Sequence, residues 1–243
     1  MGSLMTLTVD IGNSWCKIGR QDAHGSWMVD RVATTDVAAS LAARDFDRVA
    51  FASVVPDAAK AVRVALEGRG VFEVSWQVKL PFAMGYETPQ TLGNDRIAAA
   101  AGALLEYGRE GRAVIAVDAG TAVTYEVVDA ERTYRGGAIA PGPGLMASAL
   151  NLGTAQLPEV DAPLEGTAIG VSTREALRSG VYWGFVDAVG GMLDRLRDEV
   201  GDATVVLTGG WAGFLAGHLA GVHVLDPHLV LRGIAALDAL NAG

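Results

Sequence analysis

Two short stretches carry the residue types that hold phosphate. Asp10-Ile11-Gly12-Asn13-Ser14 closes one apolar run and is followed by Trp15-Cys16-Lys17; Asp118-Ala119-Gly120-Thr121-Ala122 closes another in the second half of the chain. Glycine at such a turn lets the backbone approach a ligand closely, and exposed N–H groups beside a hydroxyl can hold phosphate oxygens. An adjacent carboxylate can hold Mg²⁺ directly or through water. Asp and Gly also populate ordinary turns, so one copy says little; the matched pair is the informative observation. Lys17 reaches a phosphate from the returning strand or is a solvated edge lysine, and spacing leaves both open. Asp118 likewise either faces a ligand or bonds within its own turn.

A third candidate is Gly93-Asn94-Asp95-Arg96, at the start of an Ala-rich segment that reads as a helix. An acid is favoured there as a cap, which accounts for Asp95. It does not account for Arg96, because a cation in the first turn opposes the helix dipole. An acid beside an arginine at a helix start is suited to act as a general base with an anion clamp. Gly209-Gly210, between an apolar run and a helix, admits a flat ring close to the backbone or is a plain tight turn. No Gly-x4-Gly-Lys-Ser/Thr segment occurs, which excludes a P-loop. Gly142-Pro143-Gly144-Leu145-Met146-Ala147 matches a dinucleotide fingerprint only in its glycines, without the strand-turn-helix setting or the downstream acid.

The elements that must position these residues repeat. Strands at 5–11, 14–20 and 26–33 form a meander through the first Asp turn, and strands at 113–118, 122–129 and 133–140 form another through the second. Behind the first come a helix at 36–43, a strand at 48–54, a helix at 56–69 opened by Pro56, a strand at 71–75, an irregular stretch at 76–93 and a helix at 94–107. Behind the second come helices at 144–151 and 172–199, a strand at 204–208, a helix after Gly210, a short strand at 222–225 and a helix from 228. The pattern predicts a duplicated α/β fold with a cleft between its halves and a boundary at 108–112, giving domains 1–110 and 111–243. Val181, Tyr182, Phe185, Val189 and Met192 recur at helical spacing and suit a core or a partner equally.

Composition narrows the function. Half the 243 residues are apolar and 19% are charged, as in a globular protein. The formal net charge of −9, without a Lys/Arg cluster, argues against a nucleic-acid binder. No apolar run reaches the roughly 18 residues of a membrane helix. A lone cysteine, Cys16, allows no internal disulfide and fits a reducing, cytoplasmic setting. The four histidines lack a zinc-like grouping. Met5 reads as the native start, with residues 1–4 an addition and no signal peptide before the first strand.

The ordered set of motifs resembles the type III pantothenate kinases, relatives of the acetate and sugar kinases, Hsp70 and actin. The resemblance covers nearly the whole chain: Asp10 to Lys17, Tyr86 followed by Gly93-Asn94-Asp95-Arg96, Asp118 to Ala122, Gly136-Gly137 to Gly142, Ala155-Gln156-Leu157-Pro158, and Gly170-Val171-Ser172-Thr173 through Ser179-Gly180. It implies two related actin-like (ribonuclease H-like) domains with an ATP cleft between them. It also implies ATP-dependent phosphorylation of pantothenate, the first step of coenzyme A biosynthesis. ATP phosphate contacts would fall on Asp10, Ile11, Gly12, Asn13, Ser14, Trp15, Cys16, Lys17 and Thr121. Asp118 would ligand a monovalent cation, K⁺ or NH₄⁺, beside Mg²⁺-ATP. Tyr86, Gly93, Asn94, Asp95, Arg96 and Thr173 would surround pantothenate, with Asp95 the proton acceptor, in a homodimer. The departures are Ser14 for threonine, Asn94 for a small apolar residue and Ser172 for asparagine. Alternatives are another small-molecule kinase of this fold, a non-catalytic ATP-binding regulator, and an actin-type filament protein.

Overall fold

In the computed structural model, which describes residues 5–22, 24–154, 156–160 and 167–242, apolar alternation sorts the first half into one sheet with helices on two faces. Strands β1 (Thr6–Ile11), β2 (Trp15–Gln21), β3 (Trp27–Ala33), β4 (Arg48–Ser53) and β5 (Gly70–Glu73) lie in the order β3-β2-β1-β4-β5. The β1–β2 and β2–β3 pairs are antiparallel, and β1–β4 and β4–β5 are parallel. Leu7, Val9 and Ile11 point to one side, where they pack with Val37 and Leu41 of α1 (Val37–Ala42) and Ala59 and Val62 of α2 (Pro56–Ala65). Pro56 stands in the first turn of α2, as its missing N–H permits. That helix stops at Ala65, short of the expected 69, because Gly68 turns the chain at φ 82°.

The intervening residues Thr8 and Asp10 face the other side, which carries α3 (Asn94–Tyr107) and α7 (Leu229–Asn241). Arg48 of β4 reaches Asp238 of α7 through Nε and Nη2 at 2.8 and 2.6 Å. The two helices cross glycine against glycine. A methyl on Gly102 would stand 3.0 Å from the Gly233 nitrogen, and one on Gly233 would run into the Ala98 carbonyl. The stretch at 76–93, expected to be irregular, contains the short strand β6 (Ala83–Met84), which pairs with Thr133 and Tyr134. Pairing here comes from a distant segment, which local composition does not show.

The second half repeats the plan. Strands β7 (Ala113–Ala119), β8 (Ala122–Val128), β9 (Thr133–Pro141), β10 (Ala203–Thr208) and β11 (Val224–Leu225) take the order β9-β8-β7-β10-β11, the same as β3-β2-β1-β4-β5. Helices α4 (Pro143–Leu152), α5 (Thr173–Val200) and α6 (Ala212–Ala216) complete it. Val181, Tyr182, Phe185 and Val189 of α5 are buried, so their helical spacing is that of a core face.

The chain divides into two compact units: Met1–Gly108 with Arg132–Tyr134 and His228–Gly243, and Arg109–Glu131 with Arg135–Pro227. The final helix therefore belongs with the first sheet, whereas a single cut near 110 assigns it to the second half. No described helix is long and apolar enough to cross a membrane. Residues 1–4 and Ala155, which carried expectations from the sequence, lie outside the described residues.

Candidate active site

In unit 1, residues 12–14 join β1 to β2, and the turn is closed by Gly12 N–H donating to the Trp15 carbonyl at 3.2 Å. Asp10 is the direct cross-strand partner of Lys17, so both side chains share one face at the mouth of the turn. Asn13, Ser14 and Trp15 are exposed at its tip. Ile11 and Cys16 are fully buried in the core on the opposite face, so they can serve a ligand through backbone only. Burial also pushes the Cys16 thiol up, which makes it a poor nucleophile.

Thr34, not singled out by sequence, anchors this turn. Its hydroxyl donates to the Gly12 carbonyl at 2.7 Å and its N–H donates to the Ser14 carbonyl at 3.1 Å. With two carbonyls held away, the turn can present N–H groups to an anion. Only the three-strand meander brings residue 34 back to residue 12, so no local motif announces the role.

Asp95 lies in the first turn of α3, half-buried, after the N-cap residue Gly93, which offers no side-chain cap. Its Oδ1 accepts the Arg96 N–H at 2.8 Å. Burial raises the Asp95 carboxyl above the ordinary carboxylate value, against the opposing pull of the Arg96 N–H and charge. A raised carboxyl that remains hydrogen-bonded at a helix N-terminus is suited to accept a proton. Tyr86 is fixed by Tyr134, whose ring stands edge-on at 6.0 Å, and Gly85 N–H donates to the Tyr134 carbonyl. Tyr134, fully buried and stacked on Phe82 as well, is a support that the sequence reading did not identify.

In unit 2 the Asp118 turn is one residue shorter, with Gly120 N–H donating to the Ala122 carbonyl at 2.9 Å. Asp118 faces Thr124 across β8, where the first turn has Lys17. The glycine-rich 136–142 segment braces this hairpin. A methyl on Gly137 would strike the Tyr125 carbonyl, and Gly142 packs against the Gly120 and Thr121 carbonyls while donating its N–H to Thr121. Gly209, at φ 91°, packs against Asp118 Oδ1 and the Ala119 carbonyl, and Trp211 N–H donates to that same carbonyl at 2.9 Å. The Gly209-Gly210 turn is thus part of the setting of Asp118.

Thr173 is exposed at the first position of α5. Ser172 caps that helix by accepting the Glu175 N–H, and Glu175 reaches back to the Val171 N–H at 2.9 Å. Serine and asparagine are equivalent N-caps, so the Ser172 departure keeps the helix start intact. Ser179 Oγ donates to the Ala168 carbonyl, tying the preceding loop to the helix.

Among the described residues no three His, Cys, Asp or Glu side chains group to hold a metal. A single carboxylate at a turn, as Asp10 is in unit 1, suits an ion such as Mg²⁺ that takes one or two protein ligands and the phosphates of a nucleotide.

Known proteins show the family and the fold. Residues 6–195 match the family model described as type III pantothenate kinase. The type III pantothenate kinase of Chlorobaculum parvum is 38% identical over 99% of this chain and 96% of its own length. That of Exiguobacterium sibiricum is 33% identical over 98% of this chain and 100% of its own. Among solved structures, a Baf family transcriptional activator from Campylobacter jejuni superposes with a TM-score of 0.63 at 22% identity, covering 97% of this chain and 98% of its own. An archaeal actin homologue superposes with a TM-score of 0.54 at 12% identity, covering 99% and 100%. These two likenesses establish the actin-like fold.

Proposed function

The chain belongs to the type III pantothenate kinase family, and we propose that it transfers the γ-phosphoryl group of ATP to the primary hydroxyl of pantothenate, opening coenzyme A synthesis. The observation that carries this reading is the family match over residues 6–195, which contains both Asp turns and the Gly93–Arg96 segment in order.

Phosphoryl transfer leaves the protein chiefly positioning and electrostatic work. Asp10, Lys17 and the N–H groups of residues 13–15 hold the ATP phosphates at one turn, with Gly12 closing that turn, and Thr121 holds them at the other. Asp10 would help hold Mg²⁺ at this turn, and the ion would supply neutralising charge for the transferring group. Asp95 takes the proton from the acceptor hydroxyl, while Arg96, Tyr86, Gly93, Asn94 and Thr173 hold the rest of pantothenate. Asp118 would hold K⁺ or NH₄⁺, which would relieve the repulsion between its carboxylate and phosphate.

The protein acts in the cytoplasm as a homodimer. Support for the dimer comes from the exposed apolar side chains Ile139, Leu152, Ile169 and Val171, all in unit 2. Light scattering at micromolar concentration tests it, and a monomeric mass would count against it. The activity is tested by ADP release in ATP, Mg²⁺ and K⁺ with and without pantothenate. Release that depends on pantothenate is expected; release with other alcohols but not pantothenate would indicate a different acceptor.

A further inference from the structure

Lys17 of β2 and Arg31 of β3 stand directly opposite each other, and Asp10 faces Lys17 from β1. Asp10, Lys17 and Arg31 therefore form one row across three strands, with their side chains on the same face of the sheet. Two cations in direct opposition destabilise a sheet. The chain has 28 acidic residues against 19 Lys and Arg, so carboxylates are available to separate such a pair. Other arginines of this unit have them: Arg44 with Asp30, Arg48 with Asp238, and Arg63 with Glu73. The side chains of Lys17 and Arg31 make no hydrogen bond or ion pair among the described residues.

The contact Arg31 does make is with Trp15, whose ring centroid lies 4.3 Å from the guanidinium carbon. Trp15 precedes Lys17 by two residues on the same face, one step nearer the 12–14 turn, and it is 51% exposed. This contact holds the Arg31 side chain toward the turn. Solvated charge on an edge strand, a common protective device, accounts for an isolated arginine on β3. It does not account for the direct opposition of Arg31 to Lys17, with Asp10 only on the far side of Lys17, or for the lean toward the turn.

We propose that Arg31 is a second cation for the terminal phosphates of the nucleotide, acting beside Lys17, with Trp15 holding its guanidinium at the first turn. An anion between the two side chains converts their repulsion into attraction, and the planar guanidinium suits two-point contact with phosphate oxygens. The inference rests on the kinase reading for the identity of its ligand.

The test measures binding of Mg·ATP and of Mg·tripolyphosphate by calorimetry, together with thermal stability of the ligand-free protein. Arg31→Gln should weaken both ligands by about tenfold or more. Its melting temperature should stay level or rise, because the like-charge opposition is gone. Arg31→Lys should recover part of the affinity, and Trp15→Leu should lose part of it. Unchanged binding in Arg31→Gln would overturn the proposal, as would a loss that merely follows a lowered melting temperature. The acceptor reading is scored separately: wild-type protein that binds Mg·ATP yet releases no ADP with pantothenate contradicts that reading while the Arg31 comparison still decides the inference.

Discussion

Asp95 Oδ1 accepts the backbone N–H of Arg96, its immediate neighbour, at 2.8 Å. An aspartate that caps a helix from the N-cap position reaches two or three residues ahead. Asp95 instead sits inside the first turn, with Gly93 in the cap position. Its carboxylate is held close to its own backbone, an arrangement that suits a proton acceptor better than a cap.

Asp95→Asn should lower kcat by about 10²–10⁴-fold, the usual contribution of a general base. The pH dependence follows from burial, which raises the folded-state pKa above the ordinary carboxylate value. Turnover should fall on acidification through that raised pKa. For stability, folding favours the protonated form. The resulting stabilisation is complete below the unfolded-state pKa and is lost as pH rises through the folded-state pKa. At neutral pH the Asn variant, permanently neutral, should melt no lower than wild type. A steep loss of stability with kcat retained would make Asp95 a structural residue.

Gly93→Ala tests the same carboxylate from its other side. A methyl at Gly93 would stand 2.5 Å from Asp95 Oδ1, so the carboxylate must move. Since small misplacements of reacting groups are costly, kcat should drop while the ATP KM changes little. Normal kcat in this variant would show that the Asp95 position is not critical.

The two Asp turns, the meanders and nearly every helix were legible in the sequence because each depends on local periodicity and turn chemistry. Arg31 and Thr34 were not, since their significance arises from register: residue 31 meets 17, and residue 34 meets 12, only once β3 has paired with β2. Tyr134 was missed for a similar reason, because β9 must reach β6 before its ring can support Tyr86. The placement of α7 with the first sheet was hidden too. Its Gly233 and Asp238 find Gly102 and Arg48 far away in the chain.

Gly233→Ala should destabilise unit 1, because the added methyl meets the Ala98 carbonyl across the α3–α7 crossing. Overpacking of this kind typically costs about 1–3 kcal/mol, readable as a lower midpoint in urea with an unchanged slope. An unaltered midpoint would mean that the helices separate freely at this crossing.

Asp118 and the glycine packed against it should together set the response to monovalent cations. Gly209 adopts φ 91°, a conformation that side chains rarely take, and its Cα lies against Asp118 Oδ1 and the Ala119 carbonyl. Gly209→Ala therefore both strains the backbone, by about 1–3 kcal/mol, and pushes the Asp118 carboxylate from its place. If that carboxylate holds a monovalent cation beside phosphate, wild-type turnover should be faster in K⁺ than in Na⁺ at equal ionic strength. Asp118→Asn should remove the difference between the two salts, because the charge that binds the ion is gone. Gly209→Ala should retain the charge but need more K⁺ for half-maximal rate, since the ligand is displaced and not deleted. Comparing K⁺ titrations of the three proteins separates a lost ligand from a shifted one. Equal wild-type rates in Na⁺ and K⁺ would remove the cation from the mechanism and leave Asp118 as a hydrogen-bonding residue of its own turn.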